Sequence, residues 1–381
     1  MQDLGACHDL ERLCPIRLNQ DNIATQTRKK IRSFKSPAKN LPTYYKQQKR
    51  SEPTNIISDD SFTATIYKPK FSDLLWVIAR IINCKDQNLS GLSGWVSQTG
   101  GMPKCLTSIG YYPMINSPIT ELATIQECLR CSQAASAEAG QEYTICTMDL
   151  GVCMKAYPLV WAEPAKYHKH IILIGTFHTC GAYLKGIGKR YCQGSGWLEV
   201  ALEAKLISTG SVTGVTEGKN WDRAMNTHKS MLEALERLLY EKFLETHAPL
   251  SQEKYKELLK IAMNKSKLTE MLSSHDVFQH ISDYQSFRKA VHQGELGETG
   301  QLWIEYMDCT WLVLSMNNAI KTNDYDEYKA ILKSMPDLFF CSDQQNYARF
   351  LTYLGYFLEN IEKTHPKAEK LLRAGAISVS R

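Results

Sequence analysis

The fold prediction rests on residues 143–178, which read YTICTMDLGVCMKAYPLVWAEPAKYHKHIILIGTFH. Tyr143–Met148 and His170–Ile174 are short β-prone runs, and the stretch Gly151–Trp161 between them is predicted to be helical up to Pro158. A strand, a crossover helix and a second strand within about 35 residues indicate a parallel βαβ unit. The sequence therefore predicts an α/β fold around this unit.

Two polar residues, Asp149 and His178, follow the two predicted strands. Ligands and catalytic groups in α/β sheets gather at the carboxyl ends of parallel strands. Asp149 is either a carboxylate for a divalent metal, as in nucleotidyl-transfer enzymes, or the cap of the following helix. His178 is either a base or phosphate contact, or a residue that packs against Phe177.

The remaining chain divides into a tail, a core and a helical region. Residues 1–55 are predicted to be a disordered basic tail, residues 56–245 an α/β core, and residues 246–381 a mainly α-helical region. The core is expected to include a strand at Phe62–Tyr67 and a long helix at Trp221–Phe243. The stretch Ser208–Gly218 is predicted to be a Gly-rich loop, serving either as an anion site or as a plain turn.

Two further motifs are candidate sites. Glu305 and Asp308 lie three residues apart on a predicted helix, so they share a face and either bind a metal together or are solvated. Lys185–Arg190 reads Lys-Gly-Ile-Gly-Lys-Arg, but Arg190 stands where a phosphate loop has Ser or Thr. A helix that ends on glycine with cationic last-turn residues explains this second motif better.

Composition excludes several protein classes. The 381 residues are 43% hydrophobic, too apolar for a wholly disordered chain, and no uninterrupted apolar run reaches the ~20 residues of a membrane-spanning helix. The first residues lack the apolar segment of a secretory signal. We therefore expect no membrane association, a nuclear or cytoplasmic protein that is not secreted, and free thiols for its cysteines.

The positive charge is concentrated in one segment, which carries nine basic residues and no acidic one: Arg28, Lys29, Lys30, Arg32, Lys35, Lys39, Lys46, Lys49 and Arg50. Subtracting these charges from the net charge of +5 leaves about −4 for the rest of the chain. All of these residues except Lys39 are predicted nucleic-acid contacts, which makes DNA the expected partner. The alternative is that the segment is a solvated linker.

Several motifs carry a family resemblance, in the order in which they occur along the chain: Gly110-Tyr111-Tyr112-Pro113, Thr147-Met148-Asp149-Leu150, Lys155-Ala156, Gly175-Thr176-Phe177-His178, Ser208-Thr209-Gly210-Ser211-Val212, Arg223-Ala224 to His228-Lys229, Trp303-Ile304-Glu305-Tyr306-Met307-Asp308, and Asn346-Tyr347-Ala348-Arg349. Together they resemble a group of uncharacterised proteins encoded by animal transposable elements. The resemblance covers roughly residues 62–380. Through this group the chain is similar to RNase H-like transposases of the hAT/DDE type.

The resemblance implies an RNase H-like core and an origin as a transposase or nuclease. It implies metal-dependent phosphodiester chemistry with Mg²⁺, in which Asp149 holds the metal, Glu305 is a further carboxylate and His178 assists. Relatives carry an acidic strand upstream where this chain has only Asp59-Asp60, and they continue past Ser380. The chain is therefore expected to be a truncated, degenerate transposase. The alternative is a non-catalytic scaffold that binds DNA or protein; the sequence leaves a homo-oligomer open.

Overall fold

A computed structural model describes residues 69–82, 91–99 and 110–377, except for 252, 255 and 257–274. Helices make up 74% of the described residues, and the sheet found among them has two parallel strands. The predicted strand Phe62–Tyr67 and the basic segment Arg28–Arg50 lie outside the described residues. No helix in the described ranges is long and apolar enough to cross a membrane.

The elements follow one another along the chain as α1 (Phe71–Ile82), α2 (Leu92–Thr99), α3 (Leu122–Glu138), β1 (Thr144–Met148), α4 (Leu150–Ala162), α5 (Pro164–Tyr167), β2 (His170–Ile174), α6 (Thr176–Tyr191), α7 (Trp197–Glu203), α8 (Val212–Thr216), α9 (Trp221–Phe243), α10 (His275–His292), α11 (Gly297–Thr322), α12 (Tyr325–Ser334), α13 (Pro336–Cys341), α14 (Gln345–Thr364) and α15 (Pro366–Leu371). A 3-10 turn forms at Thr209–Ser211, and a π-helical turn at Leu372–Ala376.

The chain forms two compact units. The described part of the first lies within Pro103–Gly175 and Tyr356–Arg381, and that of the second lies within Ala64–Met102 and Thr176–Gly355. The first unit contains both strands, and the second contains most of the helices. Each unit therefore draws on separate stretches of the sequence.

The first unit contains the predicted strand–helix–strand arrangement. The strands β1 and β2 pair in parallel from Thr144 opposite His170 to Met148 opposite Ile174. Every residue of β2 is buried, with α3 packed against β1 and α4 packed against β2. A two-stranded sheet is marginal by itself and needs such helices to cover it. The local prediction is confirmed, and the helix α4 continues past Pro158.

The predicted fold class, an α/β RNase H-like core, is wrong. The described residues are mostly helical, and the strands β1 and β2 have no third strand beside them in the described part of the chain. The apolar run of β2 predicted a strand in a larger sheet, because strands buried on both faces read as continuous hydrophobic runs. Here helices bury that run. The sequence of β2 does not distinguish burial within a larger sheet from burial under helices.

The second unit is a helical assembly around α11. This helix packs against α6, α9, α10 and α12, and its buried residues include Ile304, Trp311 and Met316. Contact with several helices explains why apolar residues occur on most of its faces. The long helix α9 has the predicted bounds, and its N-cap Asn220 accepts a hydrogen bond from the Arg223 backbone N–H.

Glycine allows α6 and α8 to approach closely in the second unit. A Cβ atom at Gly188 would lie 1.9 Å from the Thr216 carbonyl oxygen, and one at Gly218, where φ is +64°, would lie 2.3 Å from that of Gly181. Two expectations are thereby corrected. The helix α6 does not end on a glycine of Lys185–Arg190, and Ser208–Gly218 is not a loop but contains a 3-10 turn and α8.

Candidate functional site

Asp149 is the N-cap of α4 in the first unit. Its side chain is exposed, and its Oδ1 accepts a hydrogen bond of 2.8 Å from the Val152 backbone N–H. The backbone at Asp149 is extended, with φ −68° and ψ 163°, as expected for a residue that precedes a helix. Asp149 therefore caps α4, which is one of the two roles that the sequence predicts for it.

The predicted Mg²⁺ site lacks a donor set in the described part of the chain. Among those residues, no group of three or more His, Cys, Asp and Glu side chains is arranged to hold a metal ion. Magnesium usually needs carboxylates together with waters or phosphates in octahedral geometry. Among the described residues, Asp149 is therefore not accompanied by two further donors of this kind. The described cysteines are free thiols.

His178 lies in the first turn of α6, in the second unit, and is exposed. Its ring meets that of Phe177 edge-on at 5.5 Å, and its backbone carbonyl accepts a hydrogen bond of 3.5 Å from the Tyr347 hydroxyl. Phe177 is 60% exposed and lies 5.1 Å from the ring of Trp221. An imidazole and two aromatic rings therefore form a small exposed cluster at the start of α6.

The same helix carries the cations of the Lys185–Arg190 motif. Lys185 and Lys189 are exposed and lie on the same side of α6 as His178, at steps of seven and four residues. Lys189 forms an ion pair with Asp343, whose side chain is 79% exposed. The helix contains no Asp or Glu. This side of α6 therefore presents positive charge to solvent.

Glu305 and Asp308 have separate cationic partners, although both are on α11. The Glu305 Oε2 atom accepts hydrogen bonds from the Arg190 guanidinium at 3.3 Å and from the Tyr191 hydroxyl at 3.4 Å. The Asp308 Oδ1 atom accepts one of 2.5 Å from Arg288 on α10. Each carboxylate therefore links α11 to a different helix, and the two do not form a shared site.

A buried ionic network joins α9, α10 and α11. Glu236 is 0% exposed, and its carboxylate accepts hydrogen bonds from the Arg288 guanidinium, from the Tyr284 hydroxyl at 2.7 Å and from the Trp311 indole N–H at 2.8 Å. Arg288 reaches both Glu236 and Asp308. Both oxygens of the buried carboxylate thus have donors, as buried charges require.

The pKa values of this network follow from burial and from its excess of negative charge. Burial, with a further contribution from Glu236, raises the pKa of Asp308 to about 6, although Arg288 opposes the shift. Burial lowers the pKa of the Arg288 guanidinium, but Glu236 and Asp308 outweigh it and leave that pKa above its ordinary value. The guanidinium therefore remains charged, while the pKa of Asp308 is raised above its ordinary value.

Another polar group, His228 of α9, is buried in the same unit. Its Nδ1 lies 2.9 Å from the Tyr306 hydroxyl, and its ring lies 5.0 Å from that of Trp197. The His228 Nε2 atom has no hydrogen-bond partner in the described structure. Burial lowers the pKa of His228 to about 4, so the imidazole is neutral at pH 7.

An open groove of 400 Å³ runs beside the first turns of α9. It is lined by Leu206, Asn220, Asp222, Arg223, Asn226, Thr227 and Ser230. Most of these side chains are polar, and Asp222 and Arg223 provide opposite charges. The groove therefore has no strong preference for one sign of ligand charge.

Glu236 and Arg288 were missed by the sequence analysis. Glu236 occupies a position four residues after Leu232 and four before Tyr240, where the helical period predicts a buried side chain. A single acid in an apolar stripe is a signal for a buried ion pair, since buried charges are paired. The sequence contains no comparable pattern that identifies Arg288, 52 residues later, as its partner.

Comparisons with known proteins give one family match. Residues 94–381, more than half of the chain, match the family model described as "Domain of unknown function (DUF8702)". No curated protein matches the chain, and no solved structure matches it.

Proposed function

Because the chain belongs to this family of unknown function, we propose from its own residues that it is a non-catalytic nucleic-acid-binding protein, with DNA as its partner. One observation carries the proposal. The segment Arg28–Arg50 contains nine basic residues and no acidic one, whereas the rest of the chain has a net charge of about −4. An origin in a transposable element is part of the proposal and rests on the sequence resemblance alone.

The charge distribution supports binding to a polyanion. Each phosphate that a Lys or Arg neutralises releases condensed counterions, which makes binding favourable at low salt and strongly dependent on salt concentration. Such contacts need dense positive charge and no particular fold. A segment that carries +9 on a mildly acidic protein meets this requirement. We accordingly propose a nuclear or cytoplasmic location, where the chain would meet nucleic acid.

The structural roles of the candidate catalytic residues favour a non-catalytic function over a nuclease. Asp149 uses one carboxylate oxygen to cap α4, and the Glu305 carboxylate is paired with Arg190. Metal-assisted phosphodiester chemistry needs carboxylates that converge on the ion. Neither residue belongs to such a group in the described part of the chain. We therefore propose binding without cleavage.

The test compares two variants of the full chain that lose the same charge. The first replaces four cations of the segment with Gln: Arg28, Lys29, Lys30 and Arg32. The second replaces four exposed lysines outside it: Lys289, Lys321, Lys363 and Lys370. Affinity for a duplex is measured by fluorescence anisotropy across a range of salt concentrations.

The first variant should bind more weakly and show a salt slope smaller by up to about 3.6, since each phosphate contact contributes about 0.9. The second should retain the slope of the wild type. Equal effects of the two variants would show that net charge alone matters, and they would contradict the proposed role of Arg28–Arg50. The same would follow from an unchanged slope in the first variant.

A further inference from the structure

Two motifs that the proposed function does not use, Gly175–His178 and Lys185–Arg190, lie on the same helix, α6. His178, Lys185 and Lys189 face solvent on one side of this helix. At 1.5 Å per residue, the distance along the helix from His178 to Lys189 is about 16 Å. A stacked nucleic-acid strand advances about 3.4 Å per nucleotide, so this distance corresponds to four or five nucleotides.

An aromatic surface lies at one end of this row. Phe177 is 60% exposed, and its ring contacts that of Trp221, which is partly buried. The two rings are tilted by 51° to each other, and an exposed phenylalanine ring in contact with a second ring offers an apolar face that water solvates poorly. Every nucleobase has a π-face that can stack on such a ring.

The charge around the row favours a polyanionic partner over an apolar peptide. The helix α6 has no acidic residue. Two acids from other elements lie near the lysines of the row: Asp343, which pairs with Lys189, and Glu217, which pairs with Lys219 and lies within electrostatic range of Lys185. A third acid, Glu305, also reaches α6, where it pairs with Arg190. Both lysine ion pairs include a largely exposed side chain, so water and salt screen them and they are weak. A phosphate group can therefore compete for these lysines.

We propose that this side of α6 binds single-stranded nucleic acid: one base stacks on Phe177 against Trp221, and His178, Lys185 and Lys189 contact the phosphates that follow. This inference rests on the proposed function and adds a second contact surface, located in the helical unit. The segment Arg28–Arg50 supplies binding that does not distinguish strands, whereas the aromatic surface selects unpaired bases, because bases in a duplex are not free to stack on a side chain.

The experiment measures the affinity of the full chain for a labelled oligothymidine of about 15 nucleotides and for a duplex of the same length. Phe177→Ala should weaken single-strand binding about 5- to 150-fold, the range found for loss of one base–aromatic stack. Lys185→Gln should lower the salt slope for the single strand by about 0.7. Phe177→Tyr keeps the ring and should retain affinity. The controls are Phe340→Ala, at a phenylalanine that is 51% exposed, and Lys321→Gln.

The inference would be overturned if Phe177→Ala and Phe340→Ala weaken single-strand binding equally. It would also be overturned if neither substitution weakens it. Duplex binding without single-strand binding would also overturn it, but would leave the proposed function intact. Conversely, the four-charge variant of Arg28–Arg50 tests the proposed function alone: its affinity for both ligands should fall while the effect of Phe177→Ala on the single strand persists. No binding to either ligand would overturn both.

Discussion

Replacing Arg288 with Met should destabilise the second unit by about 3–5 kcal/mol, because it removes one partner of a buried ion pair. Glu236, which is 0% exposed, would keep only two neutral donors, the Tyr284 hydroxyl at 2.7 Å and the Trp311 indole N–H at 2.8 Å. These two hydrogen bonds offset part of the loss, so we expect the lower half of the range. Asp308 would lose its guanidinium as well.

Glu236→Gln should cost less, about 1.5–3 kcal/mol, since hydrogen bonds to a charged group are worth that much and Arg288 would keep Asp308 as a partner. The double variant Glu236→Leu with Arg288→Met should be more stable than the sum of the single losses predicts. Apolar residues often replace buried ion pairs at little cost. Their coupling should therefore reach at least about 1 kcal/mol.

The assay is urea unfolding followed by tryptophan fluorescence. All tryptophans except Trp161 belong to the second unit, so the signal reports mainly on that unit. The matched control is Arg237→Met in the exposed ion pair Arg237–Glu241 of α9, the helix that carries Glu236, and it should lower the stability by no more than about 0.5 kcal/mol. A loss below about 1 kcal/mol for Arg288→Met, or one no larger than the control's, would refute the reasoning.

Three further outcomes are expected. Gly188→Ala should destabilise the protein by about 2 kcal/mol or more in the same urea assay, because the new Cβ would lie 1.9 Å from the Thr216 carbonyl oxygen. Alanine has the better helix propensity, so a gain in stability would contradict this contact. The pKa of His228 is lowered to about 4, so its contribution to stability is complete above pH 6.5 and is lost as the pH falls towards 4. The difference in unfolding free energy between wild type and His228→Gln should shrink by about 3 kcal/mol over that range. A constant difference would contradict the lowered pKa. Asp149→Ala should lower the free energy of unfolding by about 1 kcal/mol through loss of the helix cap, and Asp149→Ser should remain close to wild type. Plasmid nicking with Mg²⁺ or Mn²⁺ should be absent from both wild type and Asp149→Ala. Nicking by the wild type that disappears in Asp149→Ala would restore the catalytic interpretation.

Features that depend on neighbouring residues could be predicted from the sequence. The runs Thr144–Met148 and His170–Ile174 form parallel strands because β-prone residues flank a helical crossover of suitable length. Helix α9 begins at Trp221 and ends at Phe243 because an apolar stripe runs between an asparagine cap and the end of the period. Local patterns of this kind determine elements, and β2 and α9 have the bounds that the sequence predicts.

Features that depend on distant residues could not be predicted. The buried sequence of β2 is compatible with strand or helix neighbours, so it did not reveal that helices cover the sheet. The glycines of the Lys185–Arg190 motif predicted a helix end, but Gly188 instead provides room for the Thr216 backbone. The pairing of Glu236 with Arg288 depends on the packing of α9 against α10, which no short motif encodes.

The ionic network of Glu236, Arg288 and Asp308 has an evolutionary consequence. It holds two carboxylates and one guanidinium, so the loss of Arg288 alone leaves both acids without their cation, whereas the loss of one acid leaves Arg288 paired with the other. A lineage that loses Arg288 should therefore replace the buried acid as well. Family members without a cation at the position of Arg288 should also lack an acid at that of Glu236, and the two positions should covary although their sequence neighbours drift independently.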